Sequence, residues 1–295
     1  MGQTQIPFTK MVGTGNDFVV VDLLAHPSLR RLARRWSAVA RVLCDRHRGI
    51  GADGLLVLER SPRADVRMRI FNADGSEAEM CGNGSRCVAL YWTRAHGRGR
   101  LQLTLDTQAG VLQAWVRGTR VRVQLTQPTH YRPRVTVQAA GQHVSGGFVD
   151  TGVPHFVVPV RSIASVDVER LGRSLRRHSA FGPRGTNVDF IQLDARHAHR
   201  LFVRTYERGV EAETLACGTG ITASAVVHVL RHPAANGRAH DARRVEVQSR
   251  SGDLLTVSVR PARRARPDRP VAEVTLEGEA SWVFDGAVSW PQGRR

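Results

Sequence analysis

Residues 77–86 read EAEMCGNGSR, and residues 211–224 read EAETLACGTGITAS. Each stretch sets acidic residues, a cysteine, a Gly-x-Gly turn and an apolar run at helical spacing in the same order. A cysteine at such a turn sits at or beside a helix N-terminus, where backbone N–H groups lack partners and the dipole end is positive. The thiol can thereby be driven toward thiolate, from about 8.5 to roughly 3.5–7.5. The glycines also let the backbone approach an anion closely, so a carboxylate or phosphate can dock on the N–H groups. One such turn suits a nucleophilic cysteine. Two, one in each half of the chain, predict two related halves and a cleft with a thiol on either side.

A second pair of markers lies upstream of the cysteines: GTGNDFVVVD at 13–22 and GTNVDFIQLD at 185–194. Two marker pairs in one order point to an internal duplication. Around them the chain is strand-rich. DFVVVDLL, LLVLE and DVRMRIFN read as strands in the first half, and PHFVVPV, NVDFIQLD and RLFVRTYERG in the second. Residues 28–47 carry Leu29, Leu32, Ala33, Trp36, Val39, Ala40 and Leu43 at helical spacing, which predicts one amphipathic helix with Ser28 as its N-cap. Helices are also predicted after each cysteine turn and over DVERLGRSLRRH, and a hairpin around Ser251-Gly252. Strands and helices do not alternate regularly, so the predicted class is α+β rather than a doubly wound sheet. TQPTHYRPR (126–134), with two prolines and no periodicity, is the predicted linker. The halves are then 1–126, carrying Cys81, and 127–277, carrying Cys217, with 278–295 returning to the first.

The chain has 295 residues, of which 41% are hydrophobic and 23% charged, a normal globular balance. It carries 43 Lys+Arg against 26 Asp+Glu, yet the arginines are scattered and aromatics are too few for a base-stacking platform. A solvated basic surface fits better than a nucleic-acid groove, and its field favours anionic small molecules. The N-terminal residues lack a secretory apolar core, and no apolar run is long enough to span a bilayer. Free thiols in the cytoplasm are the expectation for Cys44, Cys81, Cys87 and Cys217. Cys81 and Cys87 find no second pair to complete a zinc site, so no metal is expected. Cys44 and Cys87 read as small buried hydrophobes.

Opposed thiols around a carbon bearing a carboxylate imply one reaction. A thiolate on one face removes the Cα proton and a thiol on the other face delivers one. The centre inverts, and the cysteines exchange roles in the reverse direction. Helix N-termini stabilise the carboxylate as the carbanion forms.

MVGTGNDFVVVD, RIFNADGSEAEMCGNGSRC, TGVPHF, GTNVDFI and RTYERGVEAETLACGTG, in this order over nearly the whole chain, resemble the diaminopimelate epimerases among the cofactor-independent amino-acid racemases. The resemblance implies two similar halves, each a curled, mostly antiparallel sheet around a central helix, with the site between them. It implies Cys81 and Cys217 as the acid/base pair, and the N–H groups of Gly82-Asn83 and Gly218-Thr219 as holders of the reacting carboxylate. Asn16, Asn72, Asn187, Glu207 and Arg208 become recognition groups for the two amino-acid ends. His155 and Glu207 become residues that tune the thiols or hold the reacting ammonium. It further implies a homodimer acting on a small amino acid without pyridoxal phosphate or metal, LL-2,6-diaminopimelate giving the meso form. Proline, hydroxyproline or a basic amino acid are the alternative substrates. Two positions depart from the pattern. Val153 stands where many members have Asn, and Gly54 where some have Gln, each removing one possible hydrogen bond to the distal end of the substrate.

Overall fold

A computed structural model describes residues 3–197, 199–233 and 240–291. The chain divides into two compact units, Met1–Val123 with Gly278–Arg295, and Gln124–Glu277.

In the first unit β1 (Gln3–Gly13) and β2 (Asn16–Asp22) form a hairpin. Its two-residue turn, Thr14-Gly15, is left-handed at both positions, with φ of 49° and 79°. After α1 (Trp36–Leu43), β3 (Gly54–Glu59) runs parallel to β2, and β4 (Val66–Asn72) runs antiparallel to β3. The short β5 (Glu77–Ala78) leads into α2 (Gly82–Ala95). β6 (Gln102–Thr107) runs parallel to β4 and continues antiparallel into β7 (Gly110–Arg117) and β8 (Arg120–Gln124).

The second unit repeats this order. β9 (Thr129–Ala139) and β10 (Gln142–Asp150) pair antiparallel, as do β10 and β11 (Pro154–Pro159). After α3 (Val168–Arg176), β12 (Asn187–Leu193) runs parallel to β11 and antiparallel to β13 (Arg200–Glu207). The short β14 (Ala212–Thr214) leads into α4 (Gly218–Arg231). β15 (Arg243–Gln248) runs parallel to β13, then β16 (Leu254–Arg266) and β17 (Arg269–Glu279) follow antiparallel. The last strand, β18 (Ser281–Pro291), rejoins the first unit beside β1. The sequence β18–β1–β2 is thus matched by β9–β10–β11, and each later element has its counterpart. The α+β class and the doubled, mostly antiparallel architecture are as the sequence implies.

The pleat sorts each sheet into two faces. On β12, Val188 and Phe190 join Phe156, Val158 and Tyr206 in a core with Val168 and Leu175 of α3. The alternate residues Val157, Ile191 and Val203 form a core with Ile221, Val226 and Val229 of α4. In the first unit Val19, Val21, Leu55 and Val57 pack with Trp36, Val39 and Leu43 of α1, while Leu56 and Ile70 meet α2 at Gly84. Each central helix therefore lies on one face of its sheet and a smaller helix covers the other. The approach is close: a Cβ on Gly147 of β10 would lie 2.6 Å from Val227 Cγ1 of α4.

Three expectations are corrected. The predicted helix over 28–47 is a 3-10 turn, Pro27–Leu32, and a separate eight-residue α1. His26, not Ser28, precedes the first, and Arg35 precedes the second without a side-chain cap. Leu29, Leu32, Trp36, Val39, Ala40 and Leu43 all enter one core, so the apolar stripe runs unbroken across the break and conceals it. The predicted linker is largely strand, since β9 begins at Thr129. Pro133 is tolerated because it falls where the register with β10 is irregular, between Arg132 and Val135, and no ladder N–H is needed. Finally, the 13–22 and 185–194 markers are not structural counterparts. The first spans the β1–β2 hairpin, whereas the second is β12, whose equivalent is β3. The duplication is real but is carried by the topology and the cysteine turns.

The Gly147 contact yields a test. Gly147→Ala should destabilise the protein by about 1–3 kcal/mol through overpacking against α4. In denaturant melts, Val227→Ala should relieve most of that cost in the double variant, giving a favourable coupling of at least about 0.5 kcal/mol; additive losses would contradict the contact.

Candidate active site

Cys81 is the N-cap of α2, with extended backbone, and its Sγ accepts the Gly84 N–H at 3.4 Å. The first-turn amides of Gly82 and Asn83 have no intrahelical acceptor. The helix reaches β1 so closely that a Cβ on Gly13 would lie 2.8 Å from the Asn83 carbonyl oxygen and 3.0 Å from Cys87 Sγ. Asn83 is buried, and its side chain is committed to structure: Oδ1 accepts from Arg86 Nη2 at 2.7 Å, and Nδ2 donates to Asn16 Oδ1 at 2.5 Å. The Asn83 side chain is thus engaged within the protein, which leaves its backbone N–H as the group it could offer. Arg86, fully buried, also donates to Thr14 Oγ1 at 2.7 Å and to the Gly82 carbonyl at 3.3 Å. It pins the left-handed β1–β2 turn to the helix N-terminus and places a cation beside that turn. Asn16 in turn donates through Nδ2 to Asp53 Oδ2 at 2.8 Å, so its amide is oriented with one N–H left to offer. Asn72 ends β4, is exposed, and donates to Ser76 Oγ at 2.9 Å.

Cys217 is the N-cap of α4, buried, with Thr219 Oγ1 3.3 Å from its Sγ. On the sheet face that packs on α4, polar side chains include His155 of β11, Asp189 of β12, and Thr205 and Glu207 of β13. His155 Nδ1 lies 2.7 Å from Asp189 Oδ2, and both residues are wholly inaccessible to solvent. Asp189 Oδ1 accepts from Thr205 Oγ1 at 2.7 Å. Asn187, on the same face, accepts the Arg208 N–H at 2.7 Å and donates to the Pro154 carbonyl at 3.1 Å. It thereby ties the end of β13 to the start of β11 and keeps one N–H to offer. The Arg208 guanidinium makes no hydrogen bond or ion pair among the described residues; burial and the nearby Arg176 and Arg184 press its pKa down, and only Asp150 opposes them.

Electrostatics corrects one expectation. The helix N-terminus does not make Cys217 a thiolate. Burial pushes its pKa far up, and the negative charges of Glu207 and Asp189 push it further, against weaker help from Thr219 and the Gly220 N–H. Glu207 is itself raised, mainly by burial and further by Asp189, with Thr214 and His155 opposing. Cys44 and Cys87 are buried, and burial lifts them to about 11 and about 12, in keeping with purely structural thiols. None of the four cysteines is in a disulfide. Among the described residues no group of three or more His, Cys, Asp or Glu is arranged to hold a metal.

Sequence reasoning missed Asp189, Thr205, Arg86 and Asp53. Asp189 lay within a quoted motif, two residues after Asn187 and so on the same strand face, which was the available signal.

This fold is that of the solved hydroxyproline epimerase from Agrobacterium vitis with bound trans-4-hydroxy-L-proline, at a TM-score of 0.68 and 18% identity over 98% of this chain and 92% of that one. The Bacillus anthracis phenazine biosynthesis protein of the PhzF family aligns at a TM-score of 0.67 and 17% identity over 97% and 99%. The class is therefore the two-half, epimerase-like α+β fold. Within it the diaminopimelate epimerase family model matches residues 8–131 and 147–267. Proteins named diaminopimelate epimerase from Aquifex aeolicus (strain VF5) and Hydrogenobaculum sp. (strain Y04AAS1) are 42% and 36% identical to it. Each match runs over 291 residues, 96% of this chain, and covers 97% and 98% of those proteins. The chain belongs to the diaminopimelate epimerase family.

The raised Cys217 thiol predicts a labelling profile. In the substrate-free protein, carbamidomethylation of Cys217, mapped by mass spectrometry, should still be climbing with pH above about 10, where an unperturbed thiol has levelled off. Removing the neighbouring negative charge in Glu207→Gln should lower the thiol pKa and move the profile to lower pH. An unmoved profile would contradict the electrostatic coupling.

Proposed function

We propose that this chain interconverts LL- and meso-2,6-diaminopimelate, in lysine and peptidoglycan precursor synthesis, by exchanging a Cα proton between two cysteines. The observation that carries this reading is the pair of cysteine N-caps, on α2 and α4, at equivalent places in two topologically matched units of a chain that belongs to this family.

In this reading Cys81 and Cys217 are the catalytic acid and base, acting on opposite faces of one carbon. The first-turn N–H groups of Gly82-Asn83 and Gly218-Thr219 bind the reacting carboxylate and stabilise the charge that builds on it. Cys217 starts as the protonated thiol, the donor form. A substrate ammonium near Glu207 offsets that carboxylate, and the thiolate then becomes cheaper to form for the reverse direction. His155 supports the same half-site. Arg208 binds the distal carboxylate, a role that suits a guanidinium with no protein partner. Asn16, Asn72 and Asn187 complete recognition, the first and third with oriented amides. The chemistry calls for no cofactor.

The reading includes a homodimer in the cytoplasm. Exposed Val283 and Phe284 on β18, 53% and 48% accessible, support a self-association surface, and cysteines without disulfides suit a reducing compartment. No helix among the described residues is long and apolar enough to cross a membrane.

The test is incubation with LL-diaminopimelate in D₂O without added cofactor, following Cα deuterium and the meso product by NMR, with proline and histidine alongside. Diaminopimelate should exchange and invert. Cys81→Ala and Cys217→Ala should each lose at least about 100-fold in rate, the low end for a general acid–base group. Full activity in either variant sinks the two-base mechanism, and turnover of proline or histidine instead sinks the substrate assignment.

A further inference from the structure

The second half-site holds a buried carboxylate to which the proposed proton exchange gives no direct part. Asp189 is wholly enclosed, and an ionised carboxylate there is sustained only by specific partners. Three are present. His155 Nδ1 lies 2.7 Å from Oδ2, and Thr205 Oγ1 donates to Oδ1 at 2.7 Å. The third is the first turn of α4, against which Oδ1 is pressed. A Cβ on Gly220 would lie 2.3 Å from Oδ1, so only glycine permits the contact. The positive end of the helix that begins at Cys217 therefore abuts this carboxylate.

His155 has the complementary property. Its Nδ1 is engaged, while its Nε2 is buried and has no hydrogen-bond partner. A buried polar atom with no partner is costly to keep, and such atoms concentrate where a ligand completes the bonding. Asp189 meets His155 from β12 and Glu207 acts on it from β13, and both carboxylates also act on Cys217 of α4. β10 offers only the apolar Val149, paired in register with His155.

We propose that Asp189 is the positioning residue of this half-site: by accepting the Nδ1–H of His155 it fixes the imidazole orientation and tautomer, so that the bare Nε2 is presented as a hydrogen-bond acceptor to the substrate. The proposal rests on the diaminopimelate epimerase reading for its substrate. An acceptor at Nε2 selects an N–H of the reacting ammonium, or a thiol, and rejects a carboxylate. His155 then works with Glu207 on the cationic side of the amino acid, while the helix amides take the anionic side. Thr205 holds the second oxygen and stops the carboxylate from rotating, as outer partners do for metal-bound and catalytic histidines.

The first measurement needs no variant. In ¹⁵N-histidine-labelled wild-type protein, with the His155 signals assigned by their loss in His155→Asn, the ring shifts should report a protonated Nδ1 and an unprotonated Nε2. The opposite tautomer overturns the proposal. In Asp189→Asn the side-chain amide can donate to Nδ1, and the tautomer should reverse. The rate of Cα exchange on diaminopimelate should then fall by about 10–100-fold, the range for loss of an outer-shell partner, while Asp189→Asn added to His155→Asn should cause little further loss. Full activity in Asp189→Asn, or independent losses in the double variant, overturns it as well. If Asp189→Asn does not fold, the wild-type spectrum decides. A wild-type protein that leaves diaminopimelate untouched refutes the substrate reading, while the ring shifts still decide the tautomer.

Discussion

Both half-sites depend on a helix N-terminus brought so near its sheet that a single methyl group would not fit between them. At α2 the tight point is Gly13 against the Asn83 carbonyl, and at α4 it is Gly220 against the Asp189 carboxylate. A helix held at ordinary packing distance would show its first-turn amides to solvent. Here they are set at the floor of a curled sheet, with the capping thiol fixed beside them. The N-cap backbone of each cysteine is extended, at φ −142° and −124°, so the thiol leaves the helix axis while the next amides point along it. One local device thus sets a thiol beside unpaired helix amides, the pairing that the proposed proton exchange would use.

The same topology carries opposite electrostatics in its two copies. Beside Cys81 the buried charge is the Arg86 guanidinium, held on neutral oxygens of Thr14, Asn83 and Gly82. Beside Cys217 the buried charges are acidic, Asp189 and Glu207, and they oppose a thiolate. An internal duplication alone would give equivalent thiols. The charges around the two cysteine turns have diverged while the turns themselves are kept.

The cysteine turns were fully legible, because N-cap chemistry is local and a Cys-Gly-x-Gly turn repeated before an apolar run is hard to reconcile with chance. Strand content and the α+β class were legible for the same reason, since period-two patterns are local. Features set by tertiary contact were not. The break at 33–35 is invisible because both segments bury one continuous stripe. Arg86 is indistinguishable in sequence from the scattered surface arginines; only the structure shows it wholly enclosed beneath the β1–β2 turn. Asp189 hides in the same way, a polar residue between Val188 and Phe190, where alternation reads as an outward face. The strands put both faces of the sheet under helices, and inward polarity at that position signals a site instead. The GTGNDF and GTNVDF echo misled because short turn-plus-strand strings recur without structural equivalence.

The two departures from the family pattern acquire different meanings in the fold. Gly54 opens β3, registered between Phe18 of β2 and Asn72 of β4. A Cβ there would lie 2.9 Å from the Phe71 carbonyl oxygen, so the two strands have closed over the position. A glutamine could return only if β3 and β4 moved apart, and Asn72 would move with them. The missing amide is therefore built into the backbone of this chain, and in the proposed reading recognition in the first unit would fall to Asn16 and Asn72. Val153 differs. Its carbonyl accepts the Thr151 N–H at 3.1 Å, a backbone bond indifferent to the side chain, so the turn that delivers His155 persists whether the residue is Val or Asn. Both changes lie at strand ends, away from the helix contacts that fix Cys81 and Cys217. On the proposed mechanism, residues at these strand ends could therefore change without disturbing the glycine contacts that hold the two cysteine turns against their sheets.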